Sequence, residues 1–240
     1  MKVVAVMTRA PVTLADTTSP GHGVIVNGIK TRLSPVQPDP SERAALQRAM
    51  LADVLAAARA VPGTLVRVAV TPDADAQTLI DVGVAPGHVM TQRGETLGDR
   101  ERGVFADLFR RGAKQVLLVG SDLPLLTTAI LEEGFAALTA APAQVVLGPA
   151  SDGGYYLLGL TAPQVPDLFT GVRWSSRYTL MDTLRRCEFE ERRVAFLPIL
   201  DDIDEPEDLA RLRVALATNP TVAPHTAAAL ASLASLMPDA

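Results

Sequence analysis

The sequence predicts a single α/β domain with a mainly parallel sheet flanked by helices. Short apolar runs without alternation, such as residues 3–7 and 116–119, have the pattern of strands that are buried on both faces. Stretches with apolar residues at helical spacing lie between these runs, which gives a βαβαβ order in the first half. The chain has 240 residues, 48% of them hydrophobic and 20% charged, and this suffices for one large globular domain.

Composition restricts the function and the kind of metal site. The formal charge of −5 and a pI near 5.2 argue against a nucleic-acid binder, which needs a basic face to neutralise phosphates. Cys187 is the only cysteine, so an intrachain disulfide and a cysteine-based zinc site are excluded. With only three histidines, a metal site is expected to use carboxylates, the ligands that hard cations such as Mg²⁺ prefer.

The N-terminal apolar run is not expected to be a targeting segment. Arg9 and Pro11 interrupt it, and no stretch of the chain approaches 18 apolar residues. We therefore expect a cytoplasmic protein with no membrane partner.

The first predicted strand leads into candidate phosphate ligands. Arg9 follows this strand, and residues 13–29, rich in Thr, Ser, Gly and Pro, form either a lid or an insertion without function. Lys30 and Arg32 come next, two cations close together in an otherwise acidic chain. Either they bind the oxygens of a polyphosphate or they form a solvated charge pair.

The next elements are predicted in the order helix, strand, helix and strand, over residues 40–60, 65–71, 72–82 and 89–91. Asp53 is expected on the exposed side of the first of these helices. The polar loop of residues 92–100 then leads into a helix that ends near residue 111. In this loop Gln92 and Gly98 can approach a base or a phosphate, although such a loop is often only a connection.

The run of residues 116–119 predicts the central strand. Gly120 allows a ligand to approach the backbone and Pro124 prevents the chain from continuing the ladder, so Ser121 and Asp122 lie at the carboxyl end of the strand. Ligands bind at that edge of open α/β sheets. Asp122 is therefore either a ligand-binding carboxylate or a cap of the helix predicted from residue 127.

A predicted hairpin carries a second acidic position. The helix over residues 127–139 returns to a strand at 144–147, and Asp152, Gly153 and Gly154 form a tight turn before a strand at 155–160. The hairpin accounts for the glycines. Asp152 and Tyr155 can also contact a sugar or a base from this turn.

Trp174, the only tryptophan, either stacks on a ligand ring or fills the core. It precedes a helix that Ser175 or Ser176 can cap. The last strand is predicted over residues 193–200.

The segment DDIDEPEDL follows this strand and is dense in carboxylates. Pro206 and the two acids after it suit the first turn of a helix. Asp202 and Asp204 are two residues apart, and in an extended segment such side chains point the same way. We therefore expect one or both of them to face a cation that Asp122 holds from the opposite side.

Six motifs, in this order and within residues 3 to about 213, carry a family resemblance: KTRL with Pro35, LGDR, VGSDLP, LGPASDGGYYLLGL, the WSS segment and DIDEPEDL. They resemble a bacterial family of small glycosyltransferases with the GT-A (nucleotide-diphospho-sugar transferase, Rossmann-like) fold, a family that is itself often described as a domain of unknown function. More distantly, the chain resembles the guanylyltransferases of deazaflavin cofactor biosynthesis and the molybdenum-cofactor nucleotidyltransferases.

The resemblance implies a transferase with a nucleotide bound over the first strand and Mg²⁺ or Mn²⁺ at Asp122. Members of the family have a short PGxxKTRL loop, whereas residues 13–29 separate Pro11 from Lys30 in this chain. Residues 1–217 are expected to form the transferase domain. Residues 218–240 are expected to form a linker and a helix that pack on this domain or on a second subunit, as in a homodimer.

The preferred reaction is nucleotidyl transfer to a phosphorylated acceptor with release of pyrophosphate, because two cations after the first strand suit three phosphates better than two. Glycosyl transfer from a nucleotide sugar, with Asp152 or Asp204 as the base, and a non-catalytic nucleotide sensor are the alternatives. We predict Lys30, Arg32, Asp122 and Asp152 as catalytic, Arg9, Gln92, Gly98, Ser121, Gly153, Gly154, Tyr155 and Trp174 as substrate-binding, and Asp122, Asp202 and Asp204 as metal ligands.

Overall fold

The computed structural model describes residues 1–9, 30–37, 39–71, 76–140 and 144–234. The segment of residues 13–29, interpreted above as a lid or an insertion, lies outside these ranges. Within them the strands are β1 (Lys2–Thr8), β2 (Thr64–Val70), β3 (Val89–Thr91), β4 (Gln115–Gly120), β5 (Gln144–Pro149), β6 (Tyr155–Thr161) and β7 (Arg193–Phe196). The helices are α1 (Pro40–Ala60), α2 (Ala76–Asp81), α3 (Leu97–Arg110), α4 (Thr128–Ala140), α5 (Thr179–Phe189), α6 (Pro206–Thr218) and α7 (Pro224–Ala234).

The seven strands form one sheet in the order β3-β2-β1-β4-β6-β5-β7. Only β6 among them runs antiparallel to its neighbours, β4 and β5, and the other pairings are parallel. The predicted α/β domain with a mainly parallel sheet is confirmed. The run predicted as central is the middle strand, β4, which has one parallel and one antiparallel neighbour.

The two faces of the sheet are covered by different helices, as the unbroken apolar strands predict. On one face Leu117 and Val119 of β4 pack in a cluster with side chains of α1 and α4. On the other face Val116 and Leu118 pack in a cluster with side chains of α3 and α5. Successive side chains of β4 thus point to opposite faces and pack into two apolar layers. These two layers hold the strand up to its carboxyl end.

A third apolar cluster joins α1 to the C-terminal helices. It contains Leu46 and Met50 of α1, Leu212 of α6 and Leu230 of α7. Next to this cluster the carboxylate of Asp53 is buried, with 4% of its surface exposed.

Asp53 was expected to be exposed, and the structure corrects this. Its oxygens accept hydrogen bonds from the backbone amide of His225 (3.1 Å) and from the amide (2.8 Å) and hydroxyl (2.6 Å) of Thr226. These amides lie in the first turn of α7 and have no partner inside that helix. The helix that covers Asp53 is remote in sequence, so the pattern within α1 could not reveal the burial.

Two predicted boundaries were wrong. The last strand ends at Phe196 rather than near residue 200, because Pro198 has no amide with which to continue a regular ladder. Helix α5 begins at Thr179, so neither Ser175 nor Ser176 is its N-cap. Ser176 instead donates its hydroxyl to the carbonyl of Arg173 (2.7 Å), within the turn that precedes the helix.

In the described ranges, none of the helices combines the length and hydropathy that are needed to cross a membrane.

Candidate active site

A cavity of about 790 Å³ opens at the carboxyl ends of the parallel strands, and its volume is in the range of small-molecule sites. The ends of β1, β2 and β4, the beginning of β6 and the first turns of α3 form its walls. Most of the residues that were predicted to bind substrate, perform chemistry or hold a metal line this cavity: Arg9, Lys30, Arg32, Gln92, Ser121, Asp122, Asp152, Gly154, Tyr155, Trp174, Asp202 and Asp204.

Lys30 forms the centre of the charged side of the cavity. Its side chain is 3% exposed, and its Nζ lies 2.8 Å from Oδ2 of Asp122 and 3.4 Å from Oδ1 of Asp204. The Nζ also donates a hydrogen bond to the carbonyl of Ile203. The lysine therefore joins the loop after β1, the end of β4 and the segment before α6.

The charges around Lys30 keep it protonated. Burial alone lowers the pKa of Lys30, but the attraction and hydrogen bond of Asp122, with the charges of Asp204 and Asp202, outweigh burial and hold this pKa above its ordinary value. The resident cation of the site is thus a buried ammonium group.

Arg32 extends this ion pair toward solvent. Its Nη1 lies 2.8 Å from Oδ2 of Asp204 and 3.2 Å from Oε1 of Glu205, and its side chain is 65% exposed. Solvent screening makes such a pair weak, so little free energy opposes a move of the guanidinium to another anion.

Carboxylates are in excess around these cations. Partial removal from water raises the pKa of Asp202 to about 6, Lys30 opposes this shift, and the charges of Asp204, Asp122 and Asp152 add to it. Asp202 is nevertheless exposed at the rim of the cavity. The four carboxylates therefore disfavour one another's ionisation, and a cation among them would relieve this repulsion.

The predicted metal ligands, Asp122, Asp202 and Asp204, all line the cavity. Carboxylate oxygens suit a hard divalent cation, and such a cation would offset the excess negative charge at this side of the cavity. No group of three metal-ligating side chains converges among the described residues, however, and Lys30 pairs with Asp122 and Asp204. The donor chemistry thus fits Mg²⁺ or Mn²⁺, provided that Lys30 gives up its carboxylates when the metal binds.

The turn of residues 151–154 forms another part of the wall. Oδ1 of Asp152 accepts a hydrogen bond from the amide of Gly154 (2.8 Å), as expected of a tight turn, while the side chain stays exposed. The amide of Ser151 donates to Oδ1 of Asp201 (2.7 Å), which ties the turn to the acidic segment before α6.

Gly98 and Gly153 do not line the cavity, in contrast to what the sequence suggested. A Cβ at Gly98 would lie 2.4 Å from the ring of Trp174, and one at Gly153 would lie 2.2 Å from the carbonyl oxygen of Arg177. Gly153 also has a φ of +89°, which favours glycine. Both glycines therefore make room for protein groups rather than for a ligand.

Gln92 is buried and bonds to the backbone at the ends of two strands. Its Nε2 donates to the carbonyl of Thr8 (3.1 Å) and to that of Ala69 (2.8 Å). These bonds hold the ends of β1 and β2 together below the cavity.

Aromatic side chains form another part of the cavity wall. Trp174 is half-buried and stacks on Phe169 at a ring distance of 6.3 Å, and Tyr155 meets it edge-on at 6.5 Å. Trp174 therefore packs against the core and also lines the cavity, and its stacking on a ligand ring stays a prediction.

Sequence reasoning missed Glu101, which also lines the cavity. It lies on the buried side of α3, with Val104, Phe105 and Leu108 following at helical spacing. An acid at a position of the apolar stripe is a signal that the sequence did contain. The Tyr155 hydroxyl donates to Oε2 of Glu101 (2.8 Å), and burial raises the pKa of Glu101 to about 7, against which this hydrogen bond acts.

The relatives of the chain are a guanylyltransferase and a candidate nucleotide-diphospho-sugar transferase, so the chain is an enzyme of the transferase type with the fold of the latter. Over residues 54–176 the chain matches the family of uncharacterized proteins conserved in bacteria, DUF2064, and it belongs to this family. The chain is 32% identical over 185 residues to a 2-phospho-L-lactate guanylyltransferase of Halorubrum lacusprofundi, with 77% of this chain and 79% of that protein covered.

Solved structures show the same fold. A candidate nucleotide-diphospho-sugar transferase of Desulfovibrio desulfuricans G20 superposes with a TM-score of 0.81 at 26% identity, covering 98% of this chain and 96% of that one. A 4-diphosphocytidyl-2C-methyl-D-erythritol synthase of Anaerococcus prevotii superposes with a TM-score of 0.55 at 12% identity, covering 90% of this chain and 96% of that one. The second likeness supports the fold alone.

Proposed function

We propose that the protein is a divalent-metal-dependent nucleotidyltransferase, which joins the nucleotidyl group of a nucleoside triphosphate to a small phosphorylated acceptor and releases pyrophosphate. One observation carries the proposal: Lys30 and Arg32 lie beside Asp122 and Asp204 at the ends of β1 and β4, in a cavity large enough for a nucleotide. The guanylyltransferase relative from Halorubrum lacusprofundi supports the same reaction class.

In this reaction an oxygen of the acceptor phosphate attacks the α-phosphorus. The bond from the α-phosphorus to the bridging oxygen breaks, and its electron pair leaves with pyrophosphate. Lys30 and Arg32 exchange carboxylate oxygens for phosphate oxygens and offset the charge that develops on the leaving group. Asp122, with Asp202 or Asp204, would hold a divalent cation, which would supply further neutralisation of the phosphates. Positioning and charge stabilisation suffice, and no covalent enzyme intermediate is required.

Glycosyl transfer from a nucleotide sugar is the second candidate. The likeness to the candidate transferase from Desulfovibrio desulfuricans favours it, and so does the exposed carboxylate of Asp152 at the cavity wall, which is placed to act as a base toward an acceptor hydroxyl. Release of a nucleoside diphosphate, rather than pyrophosphate, would identify this reaction.

Ligand binding is the first test. Thermal unfolding is measured with each nucleoside triphosphate and with nucleotide sugars, in the presence of Mg²⁺ or Mn²⁺. A ligand at about 100 times its dissociation constant stabilises the folded state by roughly 2.7 kcal/mol. Turnover is then followed with a panel of phosphorylated hydroxy acids and sugar phosphates, by measuring pyrophosphate and nucleoside diphosphate separately. Binding without either product would indicate a nucleotide sensor.

The chemistry is tested with Arg32→Ala. Because the proposed contact strengthens as pyrophosphate leaves, kcat and kcat/KM should both fall by roughly 100-fold. Arg102→Ala is the matched control, since Arg102 is 55% exposed on α3, pairs loosely with Asp99 (3.9 Å) and does not line the cavity. Full kcat of Arg32→Ala with every active donor would contradict nucleotidyl transfer through this loop.

A further inference from the structure

Glu101 is a buried carboxyl that forms no ion pair with the described residues. It is 7% exposed, and in the described ranges its one hydrogen bond comes from the Tyr155 hydroxyl to Oε2. The neighbouring arginines are engaged elsewhere, because Arg100 donates to the carbonyl of Gly94 (3.1 Å) and Arg102 pairs with Asp99. Burying such a group costs free energy that glutamine or leucine at the same position would avoid, so packing does not account for this residue.

The second oxygen of Glu101 is available to a ligand. Among the described residues, no protein group donates a hydrogen bond to Oε1. Oε1 is also not one of their fully buried side-chain atoms without a hydrogen-bond partner, so part of its surface is accessible. Because Glu101 lines the cavity, the access that remains to Oε1 is from the cavity side.

The surroundings of Glu101 favour a flat and uncharged ligand group. Trp174 forms the adjacent wall, and stacking on Phe169, edge contact with Tyr155 and the absence of a side chain at Gly98 fix the orientation of its indole. Fixed aromatic rings bind planar groups at a small cost in conformational entropy.

Phosphate and carboxylate groups are unsuited to this place, because an uncompensated carboxyl repels them. The paired cations of the cavity, Lys30 and Arg32, lie around Asp122 and Asp204 instead. Trp174, Lys30 and Arg32 line the same cavity, so a nucleotide whose phosphates lie at these cations can place its neutral part, the base, against the aromatic wall.

We propose that Glu101 selects the base of the nucleotide, and that this base is guanine. Guanine presents two adjacent donors, N1–H and the 2-amino group, to a carboxylate acceptor, whereas adenine and cytosine place a ring acceptor beside their amino group. This inference rests on the proposed function and names the substrate class of the same site.

The test uses Glu101→Gln in the full-length protein. The glutamine carbonyl can keep the hydrogen bond from Tyr155. Its amide N–H groups then face the cavity, where they meet the donors of guanine and cannot accept hydrogen bonds from them. Calorimetric binding of GTP, ITP and ATP with Mg²⁺ is compared for the wild type and for Glu101→Gln. Glu132→Gln, at an exposed position of α4 outside the cavity, is the control.

We expect the wild type to bind GTP at least about tenfold more tightly than ATP, and several-fold more tightly than ITP, which lacks the 2-amino group. Glu101→Gln should bind GTP about tenfold more weakly, with ATP binding unchanged or improved. The GTP and ITP comparison needs no substitution, so it remains informative if the variant folds poorly.

Two results would overturn the inference alone: equal binding of GTP and ITP by the wild type, or GTP binding by Glu101→Gln within about threefold of the wild type. If the wild type binds no triphosphate, the proposed function fails as well, so the two failures are distinguishable.

Discussion

The buried carboxyl of Glu101 should make stability depend on pH in a way that one substitution removes. Burial raises its pKa from the ordinary 4.5 to about 7 in the folded protein, so between these values the folded state holds a proton that the unfolded state has lost. Stability is therefore lost as pH rises through this window, and little further is lost above about pH 7. One pKa unit corresponds to about 1.4 kcal/mol, so the total loss is up to about 3 kcal/mol.

Urea unfolding at pH 5, 6, 7 and 8, at constant ionic strength, measures this contribution. Glu101→Gln cannot titrate, and its free energy of unfolding should rise relative to the wild type by about 2 to 3 kcal/mol between pH 5 and pH 8. Taking the difference between the two proteins cancels the other titrating groups. Glu132→Gln should follow the wild type. If the profiles of Glu101→Gln and the wild type run parallel within about 0.5 kcal/mol, Glu101 does not titrate as described.

The remaining predictions concern the charged side of the cavity and the C-terminal helix. Asp122→Asn should lower turnover by at least about 100-fold with little loss of fold, measured as pyrophosphate release and circular dichroism, whereas Asp107→Asn on α3, outside the cavity, should remain active. In the absence of nucleotide, Lys30→Met should bind Mn²⁺ at least about tenfold more tightly than the wild type, because a positive charge 2.8 Å from Asp122 is removed. Binding is measured as the loss of the electron paramagnetic resonance signal of free Mn²⁺, and an equal loss with both proteins would refute this prediction. Asp53→Ala should lose about 1.5 to 3 kcal/mol in urea unfolding, and a loss below 0.5 kcal/mol would show that its bonds to α7 are dispensable.

The fold was predictable because it follows from local patterns. Unbroken apolar runs identified buried strands, and helical spacing identified the segments between them. Asp122 could be placed at the ligand-binding edge for the same reason, since a strand that ends in Gly-Ser-Asp delivers its carboxylate to the carboxyl end of the sheet.

Contacts between distant segments could not be predicted in this way. No local signal states that Lys30 is buried between Asp122 and Asp204, which are 92 and 174 residues further along the chain. The function of a glycine was misjudged for a related reason. Gly98 was expected to approach a ligand, but the group that comes close is the indole of Trp174, delivered from the segment before α5.

The bond network of Asp53 also bears on how the chain unfolds. If α7 detached while the rest stayed folded, Asp53 would lose its three hydrogen bonds and Leu230 would leave the cluster that it shares with α1. Both losses oppose independent fraying of the helix. We therefore expect α7 and α1 to open in one cooperative step, so that backbone amides of α7 exchange with solvent as slowly as those of α1.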